Sequence, residues 1–248
     1  MNKKKITTSL MAVALVSSLA VGSLAWFTSQ DTITNPFSTV STDKNVDNRV
    51  DSGIRIHEDF DKDAAKNVAP GQTVKKEVQV HSTAKYDQFV RAKITKEFTY
   101  DGKTVDCYVE TPTTYTNEQG QKVETKQITF YNSKTDKDIP SGSVKLNPEF
   151  IKLNFTSNSN WLDNTATDGF YYYNEVLKAG QNTNNLIDSV TLDGQAGNAY
   201  KNLGFNVTVN AESIQAANKA AKDAWKQAPT NFNNTVDAYA PKSAQTSK

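Results

Sequence analysis

The sequence predicts a mainly β protein with one C-terminal helix. Apolar and polar residues alternate with a period of two along most of the chain, as in GIRIHEDF and FNVTV. Asp101-Gly102 and Asp168-Gly169 stand between such segments, and Asp-Gly is a strong signal for a tight hairpin turn. A helical period appears clearly once, near the C-terminus. Together these observations predict an antiparallel β-sandwich with a helix packed on it.

The first 25 residues have the three parts of a secretion signal. Lysines at positions 3–5 precede an apolar stretch over residues 10–21 that only two serines interrupt. The small residues Ser23 and Ala25 then occupy the −3 and −1 positions of a peptidase site, so cleavage would leave Trp26 as the first residue of the mature chain. We therefore expect a secreted protein with no stable membrane anchor after cleavage.

A retained membrane anchor is the alternative interpretation of the same segment. If the apolar stretch is extended to Phe27, it reaches the lower length limit of a spanning helix. The serines and Gly22 weaken this interpretation.

Removal of the signal leaves a slightly acidic chain. Residues 1–25 contain three lysines and no acidic residue, so Lys+Arg falls from 28 to 25 against 27 Asp+Glu, a net charge of −2. The longest basic run that remains is Lys75-Lys76. A protein that binds nucleic acid needs a concentrated basic face to displace counterions from phosphates. We therefore expect no nucleic-acid partner.

The mature chain is expected to form one β-sandwich domain over residues 38–228, since about 220 residues can bury one good core. Within it, a helix is predicted over residues 211–226. Its cap is Asn210, and its apolar stripe consists of Ile214, Ala217, Ala221 and Trp225. Residues 229–248 have a composition typical of a disordered tail and contain no Leu-Pro-x-Thr-Gly sorting signal.

The polar, threonine-rich segment between residues 111 and 143 predicts either a long loop or an extended hairpin arm. Cys107, which precedes this segment, is the only cysteine of the chain. An intramolecular disulfide is therefore excluded. Cys107 alternates with Val105 and Val109, which predicts that all three lie on one face of a strand. A buried thiol is favoured, and an intermolecular disulfide is the main alternative.

No pattern in the sequence predicts catalysis, a metal site or a cofactor. The two histidines, His57 and His81, lie on different predicted strands, outside any His-Glu-x-x-His helix. The aspartates at 59, 61 and 63 have the spacing of an EF-hand loop, but Ala64 and Pro70 occupy the positions that need Gly and Glu. A Lys-to-Asn bond within or between chains is compatible with the composition, and the sequence singles out no pair.

The junction at the predicted cleavage point, AWFTSQDTITNPF, resembles the start of the TasA and camelysin group of exported proteins. Four later segments are similar, in order and spacing, to the BsaA-type biofilm matrix branch of that group. They are IRIHEDF, APGQTVKKEVQVHSTAKYDQFVRAKI, WLDNTATDGFYYYNEVLKAGQNTNNLIDSV and NAESIQAANKAAKDAW. The resemblance spans nearly the whole mature chain.

This resemblance implies a jelly-roll-like sandwich, processing by a SipW-type signal peptidase in a Gram-positive bacterium, and assembly into fibres of the extracellular matrix. In TasA members the freed N-terminal segment enters the sheet of the next subunit, and main-chain pairing of this kind satisfies an open sheet edge. Carried over to this chain, the donor segment is residues 26–37, with Phe27, Ile33 and Phe37 on one face of an extended strand. The implied partners are further copies of the chain, with or without other matrix components.

The chain departs from the group at the donor segment itself. Phe27 and Asp31 are separated by three residues, and the usual Gly after the Asn-x-Phe is missing. The predicted function is a secreted, polymerising subunit of biofilm matrix fibres, not an enzyme. The alternatives are a monomeric surface adhesin or ligand-binding module and, from the protease label of camelysin, a secreted protease.

Overall fold

The computed structural model describes residues 28–37, 53–201 and 203–239, with the backbone alone for residues 28–37, 66 and 67. The strands are β1 (Thr28–Phe37), β2 (Ile54–Phe60), β3 (Thr73–Ser82), β4 (Gln88–Tyr100), β5 (Lys103–Val105), β6 (Cys107–Thr116), β7 (Lys122–Tyr131), β8 (Val144–Lys145), β9 (Ile151–Phe155), β10 (Trp161–Asp163), β11 (Tyr171–Tyr173), β12 (Ile187–Leu192) and β13 (Gly204–Gln215). The α-helices are α1 (Ala220–Ala224) and α2 (Thr230–Ala238), and short 3-10 turns span Ala64–Asn67, Pro148–Phe150 and Asn198–Tyr200.

These strands form three antiparallel sheets. The first sheet has the order β1-β13-β4-β11-β10, with β5 added to β4, and the second has the order β2-β3-β12-β9. The third sheet is β7-β6-β8. The central strands β4 and β13 are in register over the whole length of β13, from Gly204 opposite Thr99 to Gln215 opposite Gln88. The expectation of a mainly β, antiparallel fold with a C-terminal helix is confirmed.

The first two sheets enclose the main core. Alternation along β13 buries every second side chain between the sheets, where each large apolar group contributes about 1.5–3 kcal/mol. The apolar residues of β13 on this face are Phe205, Val207, Val209 and Ala211, each 2% exposed or less. They share apolar clusters with residues of the second sheet, among them Val74, Val78 and Val80 of β3.

The turn at Asp101-Gly102 joins β4 to β5, as the sequence predicts. Both residues have positive φ, 49° and 73°, and such a pair forms a turn whose twist matches the flanking strands.

The C-terminal helices cover the outer face of the first sheet. Phe89 of β4 lies opposite Ile214 of β13 on that face. Both pack with Tyr172, Trp225 and Phe232 in a second apolar cluster. In the described part of the chain, neither helix is long and apolar enough to span a lipid bilayer.

The predicted helix over residues 211–226 is wrong in its first half. Residues 211–215 belong to β13, which pairs with β4 on one side and with β1 on the other, and Asn210 lies inside this strand rather than at a helix cap. Helix α1 covers only Ala220–Ala224. Pairing on both edges satisfies the backbone of residues 211–215, and this pairing together with burial of side chains on both faces outweighs the local helix propensity.

Part of the predicted disordered tail is ordered. Residues 230–238 form α2, whose side chains Phe232 and Val236 are 0% and 2% exposed. The folded domain therefore extends past residue 228, and residues 240–248 lie outside the described residues.

The polar segment after Cys107 is an extended hairpin arm. Strands β6 and β7 pair continuously from Cys107–Tyr131 to Thr116–Lys122. At the base of the arm, Cys107 is 3% exposed, and its burial raises the pKa of the thiol. The predicted buried thiol is confirmed, although Val105 lies in β5 and not in the strand of Cys107.

Candidate functional site

Residues 28–37, which follow the predicted signal, form an edge strand of the first sheet. Within the described residues, β1 pairs with β13 and with no other strand. It contains Pro36, which lacks an amide hydrogen and is therefore suited to a strand at the edge of a sheet. Across the sandwich, β1 lies beside β2, the edge strand of the second sheet.

The register places two of the predicted donor positions opposite core residues. Ile33 lies opposite Val209, and Phe37 lies opposite Phe205. Directly opposed residues of an antiparallel pair lie on the same face of the sheet. Positions 33 and 37 therefore share the face of β13 that is turned toward the main core.

The other predicted residues of the N-terminal region lie outside the described residues. These are the cleavage-site residues Ser23, Ala25 and Trp26, and the first donor anchor, Phe27.

A buried ion pair lies at the same edge of the sandwich. The side chains of Lys76 in β3 and Glu58 in β2 are 0% and 5% exposed, and Nζ of Lys76 donates a hydrogen bond to Oε1 of Glu58. The centroid of the Phe60 ring lies 5.3 Å from Nζ. Lys76 therefore points into the core rather than into solvent.

Burial has a large effect on this lysine. Loss of hydration disfavours the ammonium form and lowers the pKa of Lys76 to about 7. Replacing a buried ion pair with apolar residues is often neutral or stabilising, whereas breaking one typically costs about 3–5 kcal/mol. Stability alone is therefore a weak reason for this pair, and a strongly perturbed buried group is a candidate for function.

The sequence contains a signal for this pair that sequence reasoning missed. In TVKKEVQV, Lys76 has the same parity as the buried valines of β3, and in IRIHEDF, Glu58 has the same parity as the inward-facing residues of β2. Each strand thus carries one charge at an inward position, and the two charges have opposite signs. Two strands that each carry one inward charge, of opposite sign, predict a buried ion pair if they are neighbours in a sheet.

The histidines come together but form a shallow surface feature. His57 and His81 line a cleft of about 320 Å3 with Arg55 and Asn182. Nδ1 of His81 lies 2.6 Å from Oδ1 of Asn182.

The acidic run is engaged in local contacts. Asp59 pairs with Lys75 at 2.6 Å, and Oδ1 of Asp61 accepts a hydrogen bond from the Ala64 amide at 2.9 Å. Among the residues that the structure describes, no three His, Cys, Asp or Glu side chains are grouped to hold a metal ion.

Comparison with known proteins found no matching family model and no significant match among curated proteins or solved structures.

Proposed function

We propose that this protein is a secreted structural subunit of extracellular biofilm-matrix fibres and that it polymerises through its processed N-terminal segment. The observation that supports this function is the placement of β1. It is an edge strand whose register sets Ile33 and Phe37 opposite residues of the main core.

Strand exchange would preserve every contact of this edge. If β1 leaves, the edge of β13 is open, and its amides and carbonyls are available to a strand from another copy. The same segment of a neighbouring chain can adopt the same register, so that Ile33 again lies opposite Val209. Each apolar anchor would contribute about 1.5–3 kcal/mol before the cost of ordering the segment. Repetition from copy to copy produces a fibre.

The test compares two forms of the mature protein. Protein that begins at Trp26 is expected to form fibres in electron microscopy, and protein that begins at Ser38 is expected to stay monomeric in size-exclusion chromatography. A synthetic peptide of residues 26–37 should bind the shortened protein, because it can fill the open edge of β13. Fibres of the same form from the shortened protein would overturn the proposal.

A pair of single variants separates register from a general effect on the strand. Ile33→Asp places a charge on the face of the main core and should abolish fibre formation. Thr34→Asp is the matched control, because Thr34 lies opposite Thr208, a partly buried residue on the other face of β13. If both variants polymerise like the wild type, the register in the fibre differs from that of β1.

A further inference from the structure

We propose that Lys76 forms a side-chain amide bond with Asn35 of the strand that occupies the β1 position, with Glu58 carrying the protons. The bond fastens that strand to the second sheet. If strands are exchanged between subunits, a step that rests on the function proposed above, the same bond joins neighbouring copies covalently.

The position of Lys76 along the sandwich follows from its neighbours. On β3 it lies between Val74 and Val78, on the same inward face. Val78 packs in a cluster with Val209, whereas Val74 packs in a cluster with Phe205. Lys76 therefore lies at the level of the core-facing residue of β13 that stands between Phe205 and Val209.

That residue is Val207, and the residue opposite it on β1 is Asn35. Opposed residues share a face of the sheet, so position 35 lies on the core face, level with Lys76. Phe60, directly opposite Lys76 in the second sheet, belongs to the same apolar cluster as Val207. Because β1 lies beside β2, this register brings position 35 of β1 to the part of the sandwich in which Lys76 and Glu58 are buried.

Asp31 is the other residue of β1 with an acyl side chain at a core-face position. It lies opposite Ala211, which packs with Ile54 and Val80 at a different level of the sandwich. The register therefore selects Asn35.

The surroundings suit attack by an amine. Nζ of Lys76 can donate three hydrogen bonds, and within the described residues one acceptor, Glu58, lies within hydrogen-bond distance. The apolar setting supplies the neutral form of the amine at moderate pH, consistent with the lowered pKa of Lys76. Bulk water is excluded from the pair because the side chains of Lys76 and Glu58 are almost completely buried.

The reaction is balanced without an added reagent. The Lys76 ammonium transfers one proton to Glu58, and the free amine attacks Cγ of Asn35. The protonated carboxyl of Glu58 donates a hydrogen bond to the carboxamide oxygen and stabilises the charge that develops there. The bond between Cγ and Nδ2 breaks, a second proton from Nζ passes to the leaving nitrogen, and ammonia departs. The product is an amide between Nζ and Cγ, and no oxidation or reduction takes place.

Mass spectrometry of the mature protein, boiled in detergent and digested, tests the bond directly. We expect a peptide that joins Lys76 to Asn35 and has lost one ammonia. The linked peptide should be absent from Lys76→Met, Asn35→Ala and Glu58→Gln. Glu58→Gln keeps the shape of the pair but cannot carry the protons. In Asn35→Asp the bond should still form, with loss of one water instead of ammonia.

Lys75→Met is the matched control, because Lys75 is the exposed neighbour of Lys76 and pairs with Asp59. This variant should retain the linked peptide. Circular dichroism and thermal unfolding show which variants fold. Absence of the linked peptide from wild-type protein would overturn the proposal, as would its presence in folded Glu58→Gln.

Mixing two variants distinguishes bonds between copies from bonds within one copy. Neither Lys76→Met nor Asn35→Ala can form the bond alone. In a mixture, Asn35 of the Lys76→Met variant can react with Lys76 of the Asn35→Ala variant. The product is a covalent dimer that survives boiling, and larger covalent oligomers are not expected. If the wild-type protein contains the linked peptide but the mixed variants form no covalent dimer, the bond lies within one chain. That result would support the bond and would count against strand exchange. Fibres that dissociate fully on boiling would overturn the bond and leave the proposed function intact.

Discussion

Arg91 of β4 lies directly opposite Glu212 of β13, and its Nε and Nη2 atoms lie 2.8 and 2.6 Å from Oε2 of Glu212. The guanidinium carbon also lies 3.9 Å from the ring centroid of Phe170 and 4.8 Å from that of Trp225. Because Trp225 follows α1 directly, this arginine connects the centre of the first sheet with the C-terminal helices.

Arg91→Ala should lower the free energy of unfolding by roughly 2–3 kcal/mol, since it removes a partly buried ion pair and two cation–π contacts. Urea denaturation monitored by tryptophan fluorescence measures this change. Lys93→Ala is the control, because Lys93 is an exposed residue of the same strand, and its effect should stay within about 0.5 kcal/mol. Equal effects of the two substitutions would contradict the role assigned to Arg91.

Phe232→Ala should destabilise the protein by about 3–5 kcal/mol, because it leaves a cavity in the cluster under the helices. The ring of Phe232 is 0% exposed and lies 5.0 Å from that of Tyr172 and 5.5 Å from that of Phe89. Thermal unfolding measures the effect, with Asn234→Ala on the exposed side of α2 as control. A small effect of Phe232→Ala would mean that α2 contributes little to the fold.

Gly102→Ala should cost about 1–2 kcal/mol, because the residue has φ +73° and an alanine there is strained whatever the space around it. Gly197→Ala is the matched control, since Gly197 has φ −72°. An added Cβ meets nothing within 4 Å at either position, so neither alanine causes a steric clash. A larger loss of unfolding free energy for Gly102→Ala than for Gly197→Ala in urea denaturation therefore measures the cost of the positive φ. Equal losses would contradict this prediction.

Stability should fall at high pH through Tyr239. Burial, followed by the hydrogen bond that Oη donates to Asp87, raises the pKa of Tyr239 from 10.0 to about 12. Below pH 10.0 both states hold the proton, so the stabilising effect is complete. Between 10.0 and about 12 the unfolded chain releases the proton while the folded chain keeps it, so the unfolded state binds fewer protons and stability falls as pH rises.

Tyr239→Phe should therefore make the free energy of unfolding less dependent on pH in this alkaline range. Tyr115→Phe is the control, because Tyr115 is 54% exposed on the hairpin arm. Part of the dependence should persist in Tyr239→Phe, since burial also raises the pKa of Tyr172 to about 12. An unchanged pH profile for Tyr239→Phe would contradict the raised pKa of Tyr239, and with it the burial of this hydroxyl group beside Asp87.

Local patterns predicted the strands well where alternation and turn chemistry agree. The Asp101-Gly102 turn and the alternating residues of β13 between Phe205 and Val209 are examples. The helix over residues 211–226 was wrong in its first half because a helical spacing of apolar residues begins at Ile214, inside β13, and continues into the alanine-rich segment that follows the strand. The extended form of residues 211–215 depends on pairing with β4 and β1, which are distant in sequence. Short-range propensity does not contain that information.

The candidate site was only partly predictable for the same reason. The donor segment is a local feature of the sequence, whereas the Lys76–Glu58 pair depends on the neighbouring positions of β2 and β3. Parity along each strand indicates that both side chains face inward. That Asn35 is level with them follows only from the register of β1 against β13.

Strands β1 and β13 remain in continuous register from Thr28 opposite Ile214 to Phe37 opposite Phe205. Tension along the strand axis therefore acts on all the hydrogen bonds of this pair in shear, so that they share the load, whereas a sideways pull would open them one at a time. A chain of subunits joined through this strand would resist stretching far better than peeling. A bond at Lys76 would carry the tension through covalent bonds into β3, one strand inward from the edge of the second sheet.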